Sequence, residues 1–503
     1  MTEKSKNQDA AYSGTMDRRR FIGHSGTLIA GGIVASAFPA LALAREKKRP
    51  LNILLLMSDQ HGPDSLGYYG DHNALTPNLD RLASSGYSMR QAYCQSPVCV
   101  SSRNSILNGC YPHSNGVISN AYAGNRDILS FPQVLRKKGY TTGCFGKLHT
   151  PGREDLDWDE YNEGSRNPGM PVPEGGVILS GTANLLRDPA IGAPDPFPKT
   201  TTLEWQAKEN AIRFMRENKD RPWLIQCSMH KPHPPFQPPL EYWNKIDRSK
   251  LVIPEFPEND LDDASPRYKK WIMSRGFRNI TREQILDGMQ GHYGNLAFVD
   301  DLFGEVLNEL ESLGLRENTL VVYLVDHGEM LHRHGLWTKF VFFDASVRVP
   351  LIFSLPGTFA AGKQSNALVE LIDLFPTLTE MTGCDNPETV QGKSLVSLLT
   401  GKTRHHRKVV HSEYPLSGMN KPGGPYYATM MLFDGRYKLV DNGPDIPPEL
   451  YDQKKDPGEF TNIAGEEKQQ KRVEKMLAEL REWHLQDAVP VQPRWRDLRR
   501  MEE

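Results

Sequence analysis

Four short clusters of chemically capable side chains mark this 503-residue sequence: Asp59 with Gln60, Lys147 with His149, His230 with His233, and Asp326 with His327. Carboxylates, imidazoles and an ammonium are the groups that coordinate an oxygen-seeking cation, compensate an anion and move protons. A further segment, CVSSRNSILNG at 99–109, carries Cys99 and, four positions on, Arg103. Its apolar pair and closing Gly109 read as a short helix that begins at or near Cys99. Unpaired backbone N–H groups and the helix dipole favour an anion there, and Arg103, one turn later, can point back at the same place.

Each of the four clusters follows a short run that reads as a strand: 52–58 (NILLLMS), 141–145, 223–228 and 320–325 (LVVYLV). The apolar character of the first and last suits strands buried on both faces of a sheet. Between the first two, Thr76 offers an N-cap, Pro77 an N1 residue, Leu79, Leu82 and Ala83 one apolar face, and Gly86 a stop, so a short helix is expected. Before the last strand, Leu296, Val299, Phe303, Val306, Leu307 and Leu310 lie on one helical face. Strands alternating with helices imply an α/β fold with a mainly parallel central sheet and flanking helices. Ligands of such sheets sit beyond the carboxyl ends of the strands. Asp59, Lys147, His149, His233, Asp326 and His327 are therefore expected along one edge.

Sixty Lys and Arg against 62 Asp and Glu give a formal charge of −2, which removes the basic footprint of a nucleic-acid or acidic-membrane partner. An anionic ligand must be held locally. With 38% hydrophobic residues the chain can bury a large core and a smaller second unit. The six cysteines, Cys94, Cys99, Cys110, Cys144, Cys227 and Cys384, form neither a disulfide framework nor a C-x-x-C pair. They read as buried thiols, Cys99 excepted.

Residues 1–44 read as an address. Arg18, Arg19 and Arg20 precede Phe21 and Ile22, a charge-free stretch follows, and Ala42-Leu43-Ala44 closes it before the basic cluster at 45–49. That is the pattern of a twin-arginine signal peptide with an A-x-A cleavage site, and it implies the twin-arginine export machinery as a partner and a periplasmic or secreted product starting near Arg45. Glycines 26, 31 and 32 with Pro39 dilute the apolar part below what a membrane span requires.

From the first strand almost to the C-terminus, the sequence resembles the sulfatase family of the alkaline phosphatase superfamily. The resemblance rests on Cys99, Ser102, Arg103 and Gly109 in the loop, and on TPNLDRLASSG from Thr76, GKLH from Gly146, KPHPPF from Lys231, DHGEMLHRHGLWTK from Asp326, SVRVPLIF from Ser346, DLFPTLTEMTG from Asp373 and ELYDQKKDPGEFTNIA from Glu449. In that family the cysteine of C-x-P-S-R is oxidised to formylglycine, whose hydrate is the nucleophile, so a formylglycine-installing maturation enzyme is an implied partner. Ser101 departs from the family's proline. Gln60 stands where many members have a second aspartate and His327 where some have asparagine, as in the choline sulfatase-like and phosphonate monoester hydrolase-like branches.

The resemblance implies hydrolysis of a sulfate ester, carried by a small molecule or a carbohydrate, with release of sulfate. Asp59, Asp326, the modified Cys99 and His327 would hold one divalent cation, with Gln60 adding an amide oxygen. An oxygen-rich site suits Ca²⁺ or Mg²⁺ and the imidazole leans toward Mn²⁺, while the resemblance favours Ca²⁺. Arg103 and Lys147 would hold the hydrate, and Lys339 the sulfate oxygens. His233 is the candidate acid for the departing alcohol, with His230 as its substitute, and His149 the base that later expels sulfate; His332 and His334 line or support the site. Two other readings are a phosphonate monoester or phosphate diester hydrolase on the same fold, and a non-catalytic sulfated-glycan-binding paralogue with unmodified Cys99.

The Pro- and Gly-rich stretch 165–199 is longer than a simple connection and suits a substrate mouth. The catalytic domain is expected over 50–402. After the basic segment TRHHR at 403–407, read as a linker, a C-terminal α+β subdomain is expected over 403–490: strands at 408–411, 427–433 and 437–440, a hairpin turn at Asp434-Gly435, and an amphipathic helix over 468–485.

Overall fold

In the computed structural model the described residues are 49–165, 172–173, 175–179, 191–262, 269, 280–416, 419–444 and 446–497. The expected signal peptide and much of the 165–199 stretch lie outside them. No helix among the described residues is long and apolar enough to cross a membrane.

Four strands carry the clusters: β1 (Asn52–Asp59), β3 (Thr141–Gly146), β5 (Trp223–Pro232) and β6 (Thr319–Val325). With β2 (Tyr87–Tyr93), β4 (Glu160–Asn162), β7 (Arg348–Ser354) and β8 (Lys363–Glu370) they form one sheet in the order β4-β3-β5-β1-β6-β7-β2-β8. The four cluster-bearing strands are neighbours, β3-β5-β1-β6, and all run parallel. Their carboxyl ends therefore share one edge, as the alternation of strands and helices requires. Only β7 runs against its neighbours β6 and β2, so the sheet is mainly parallel.

The short helix is present as Pro77–Ser84 with Thr76 at the N-cap position, but Thr76 does not cap it. Its hydroxyl donates to Asp80 Oδ1 at 3.0 Å and accepts from the Gly67 N–H, while the open N–H groups of Asn78 and Leu79 are taken by the carboxylate of Asp300 at 3.0 and 2.8 Å. Asp300 lies on the helix Arg282–Ser312, which starts well before the stripe read from sequence, at a capping box of Thr281 and Gln284. Its early turns are masked in the pattern by glycines; Gly291 leaves no room for a Cβ against the Phe236 carbonyl.

A second sheet is antiparallel, order β12-β11-β10-β9, from β9 (Val410–Pro415), β10 (Ala428–Phe433), β11 (Tyr437–Asp441) and β12 (Glu449–Asp452). The first of these begins two residues later than expected. Helix Gln470–Leu485 covers the sheet with Val473, Met476, Leu480 and Trp483 buried. Within the segment 403–407, Arg404 and His405 are exposed, but its last two residues are anchored. Arg407 is paired to Glu370 and Asp373 with its side chain 6% exposed, and His406 Nε2 lies 2.9 Å from Asp373 Oδ2. A basic run reads as surface until acidic partners 34 and 37 residues before Arg407 fold against it.

Candidate active site

Cys99 is the first residue of the fully buried helix Cys99–Asn108, preceded by extended Val98, which brings no side-chain cap. The helix N-terminus therefore meets side chains from the sheet edge. Cys99 Sγ lies 3.0 Å from Lys339 Nζ, 3.1 Å from His327 Nε2 and 3.7 Å from Asp59 Oδ1. One turn along, Arg103 donates from Nε to Asp326 Oδ2 at 2.7 Å and from its terminal nitrogen to the Lys147 carbonyl and, at 3.0 Å, to Ser228 Oγ. Lys147 follows Gly146, whose positive φ and lack of room for a Cβ beside the Ser228 carbonyl let the chain turn at the end of β3. Its ammonium bonds Asp59 Oδ2.

Asp59, Cys99, Asp326 and His327 each offer one donor atom, all within 4.8 Å of one another and all buried. His327 Nδ1 sits 3.1 Å from the Gly328 carbonyl, so the other ring nitrogen, Nε2, faces Cys99, Asp59 and Asp326. Two carboxylate oxygens and an imidazole nitrogen turned inward in this way are a donor set that fits a divalent cation. Gln60, held at φ 61° at the end of β1, donates its backbone N–H to Asp326 Oδ1 at 3.1 Å and receives Lys339 Nζ on its amide oxygen at 2.7 Å.

Charge sets the chemistry of the cluster. Burial and the Cys99 charge would raise Asp59, but Lys147, His233 and Lys339 hold it well below the usual carboxylate range. Burial would likewise raise Cys99, and Lys147, Lys339 and His327 pull it well below an ordinary thiol. Three buried cations, Arg103, Lys147 and Lys339, thus face Asp59, Asp326 and the Cys99 sulfur. Adding a divalent cation makes the place a trap for anions.

The floor is buried, whereas His149, His230 and His233 are partly exposed, which makes them the mouth. His149 helps to lower Cys99, and Cys99 in turn works to raise His233. His233 Nδ1 is fixed on the Pro234 carbonyl at 2.6 Å, and its ring centroid is 5.0 Å from that of His230. Burial, Lys339 and Lys147 lower His233, and burial with Lys147 lowers His230 further. His332 and His334 stand in the loop wall. His334 stacks on Phe343 at 3.9 Å with Nδ1 2.8 Å from Asp260, and His332 lies against Phe256 and Trp337.

Sequence reasoning gave no site role to Ser102, Ser228 or Glu329. Ser102 Oγ donates to the Asp326 carbonyl at 2.6 Å, Ser228 holds Arg103, and Glu329 accepts from the amide nitrogen of Gln60. Ser102 and Glu329 carried a signal, since both lie in stretches on which the resemblance rests, whereas Ser228 carried none.

A family model described as sulfatase matches residues 51–384, and one described as the C-terminal region of N-sulphoglucosamine sulphohydrolase matches 332–486. The chain is 28% identical over 444 residues to the choline-sulfatase of Rhizobium meliloti (strain 1021), covering 82% of each chain. It is 27% identical to human (Homo sapiens) arylsulfatase K, covering 84% of this chain and 80% of that one. Among solved structures, the phosphonate monoester hydrolase from Silicibacter pomeroyi superposes with a TM-score of 0.75 at 24% identity, covering 87% of this chain and 96% of that one. BT4656 in complex with its substrate D-glucosamine-2-N,6-O-disulfate does so with 0.69 at 23%, covering 88% and 99%.

Proposed function

The chain belongs to the sulfatase family and is a sulfuric ester hydrolase, and we propose that it cleaves a small-molecule or carbohydrate sulfate ester with a nucleophile derived from Cys99. The observation that carries this reading is the meeting of Asp59, Cys99, Asp326 and His327 donor atoms within 4.8 Å, ringed by Arg103, Lys147 and Lys339. A sulfate ester resists attack because its oxygens repel the nucleophile and the leaving oxygen gathers charge. Both obstacles are answered by positive charge placed in advance.

Asp59, Asp326 and His327, with Gln60 beside them, would hold a divalent cation, which would supply Lewis acidity toward an ester oxygen; Ca²⁺ is proposed, with Mg²⁺ or Mn²⁺ as alternatives. Oxidised to formylglycine, Cys99 supplies a hydrated aldehyde hydroxyl as nucleophile. Arg103 and Lys147 compensate the charge of that residue and keep it aimed outward from the helix N-terminus. Lys339 grips the sulfate oxygens. His233, at the mouth with Nδ1 fixed, presents Nε2 to the departing alcohol and protonates it. His149 takes the proton whose removal frees sulfate from the enzyme.

Two partners complete the proposal. A formylglycine-installing enzyme must act on the segment around Cys99, and the twin-arginine machinery must read Arg18 and Arg19, giving a periplasmic or secreted product. The supporting observations are the CVSSR loop, and the arginines followed by a charge-free stretch and Ala42-Leu43-Ala44.

The test is a substrate panel for purified mature protein: choline sulfate, aryl sulfates, sulfated monosaccharides and polysaccharides, with a phosphonate monoester alongside. Sulfate release that disappears in Cys99→Ala supports the reading. Gln60 and His327 are shared by the choline sulfatase-like and phosphonate monoester hydrolase-like branches and do not separate the two readings, whereas Lys147 and His149 oppose the phosphonate hydrolase alternative. A higher kcat/KM on the phosphonate than on every sulfate would overturn the proposal.

A further inference from the structure

Lys339 reaches the site from a loop that backbone preference alone would not hold. Leu331, His332, His334, Thr338 and Phe340 all have positive φ, a conformation that costs a non-glycine residue energy unless its surroundings fix it. Glu329 fixes it. One carboxylate oxygen, Oε1, accepts the backbone N–H of Leu331 at 2.9 Å and of Thr338 at 2.7 Å, closing the base of the loop beside Lys339. The Met330 N–H adds a bond to the Thr338 carbonyl at 2.8 Å.

The other oxygen, Oε2, accepts from the amide nitrogen of Gln60. Glu329 accepts all three of these bonds, and the Lys339 ammonium can only donate. Gln60 therefore has one workable orientation, nitrogen to Glu329 and oxygen to Lys339, and its oxygen receives Lys339 Nζ at 2.7 Å. Lys339 Nζ then stands 3.0 Å from Cys99 Sγ. All four side chains are buried, so water cannot substitute for a missing partner without rearrangement.

We propose that Glu329 is the positioning residue for the Lys339 ammonium. It acts by two routes that end on the same atom: the staple across the loop, and the relay through the Gln60 amide. The inference rests on the reading that Lys339 holds the sulfate group.

The test measures binding of inorganic sulfate to the purified protein by calorimetry, at saturating divalent cation, with Tm recorded for every variant. Lys339→Ala should lose sulfate affinity. Glu329→Gln keeps an acceptor oxygen for Leu331 and Thr338 but turns a donor toward Gln60, which must flip and present its nitrogen to Lys339. Sulfate affinity should fall about 10- to 100-fold, the usual effect of removing an outer partner of a site group. The exchange variant, Glu329→Gln with Gln60→Glu, restores every donor–acceptor direction and should recover affinity to within about fivefold of wild type. A purely structural role for Glu329 predicts no such recovery.

Wild-type affinity in Glu329→Gln, with affinity lost in Lys339→Ala, overturns the positioning role and leaves the Lys339 reading standing. Wild-type affinity in Lys339→Ala overturns the Lys339 reading itself. If Glu329→Gln alone does not fold, the exchange variant decides: folded with near-wild-type affinity it supports the relay, and folded with the affinity of Lys339→Ala it overturns it.

Discussion

Arg103 Nε lies 2.7 Å from Asp326 Oδ2, both side chains buried, and this pair ties the helix that begins at Cys99 to the end of β6. The other oxygen of Asp326 accepts the backbone N–H groups of Gln60 at 3.1 Å and His327 at 3.0 Å. One carboxylate thus sets the position of three elements as well as facing the cation site. Asp326→Asn should remove bound divalent metal and activity together, and lower stability by about 3 kcal/mol because the Arg103 charge is left buried without its partner. Gln60→Ala should weaken metal binding more mildly. Elemental analysis beside thermal unfolding checks both. Equal metal content in wild type and Asp326→Asn would show that the ligands are elsewhere.

The proposed maturation of Cys99 would have to precede folding. Cys99 is 1% exposed and Ser101 fully buried, so an enzyme that reads this loop cannot reach it in the finished protein. A peptide spanning residues 95–110 should be converted by a formylglycine-installing enzyme, with loss of sulfur seen by mass spectrometry, while folded cysteine-form protein should not. Ser101→Pro should raise the modified fraction where recognition limits it. It also removes the Ser101 hydroxyl bond to the Val117 carbonyl at 2.7 Å, at about 1 kcal/mol. Unmodified Cys99 in fully active protein would end this account of the nucleophile.

The parts of the fold that were legible are those where burial and sequence agree. β1 and β6 are apolar along their length and buried on both faces, so their positions and the polar residues after them could be read directly. β2 could not be read this way: YSMRQAY carries Ser88, Arg90 and Gln91 in the middle of a strand between β7 and β8. The residues around Cys99 were legible because each falls where a strand stops or a helix starts. Lys339 was placed by resemblance alone, since nothing in the pattern of a loop with five positive-φ side chains announces where its lysine points. Glu329 and Arg407 share one reason for being missed. A buried charge is recognisable only with its partner, and the partners Gln60 and Asp373 are distant in sequence.

The C-terminal helix should loosen on either side of a narrow pH window. Glu413 Oε1 accepts the backbone N–H and Nδ1 of His113, and its Oε2 lies 3.1 Å from His484 Nδ1 on that helix. Burial would raise the Glu413 carboxyl, but His113 and His484 bring it down to about 2 from 4.5. Burial lowers His484, yet its bonds to Glu413 leave it raised. A depressed carboxyl adds stability that is complete above its unfolded value and disappears as pH falls toward 2, in all about 3 kcal/mol. A raised histidine adds stability that is complete below 6.5 and disappears as pH climbs through its folded value. The combined contribution is greatest near pH 5 to 6. Denaturant unfolding across pH should show that maximum in wild type and a flatter, lower profile in Glu413→Gln; identical profiles would refute the linkage.

Export provides a test independent of chemistry. Replacing Arg18 and Arg19 by Lys should strand the protein inside the cell, and the exported wild type should begin near Arg45. An intact N-terminal peptide on exported protein would contradict cleavage after Ala44.

The two mouth histidines should separate by leaving group. His233 is partly exposed with Nδ1 fixed on the Pro234 carbonyl, and the proposal gives proton transfer to the alcohol to its other ring nitrogen, Nε2. If it protonates the departing oxygen, His233→Ala should slow alkyl or sugar sulfates by roughly 10² to 10⁴, because their alkoxides leave poorly without a proton. Aryl sulfates with stable phenolates should lose far less. His149 follows β3 at the mouth, helps to lower Cys99, and is assigned to sulfate release, a step that no longer contains the alcohol. His149→Ala should therefore slow steady-state turnover of both substrate classes alike and produce a burst of released alcohol close to one equivalent of enzyme. Equal sensitivity of aryl and alkyl sulfates to His233→Ala, with no burst in His149→Ala, would mean that the acid and the base have been assigned to the wrong rings.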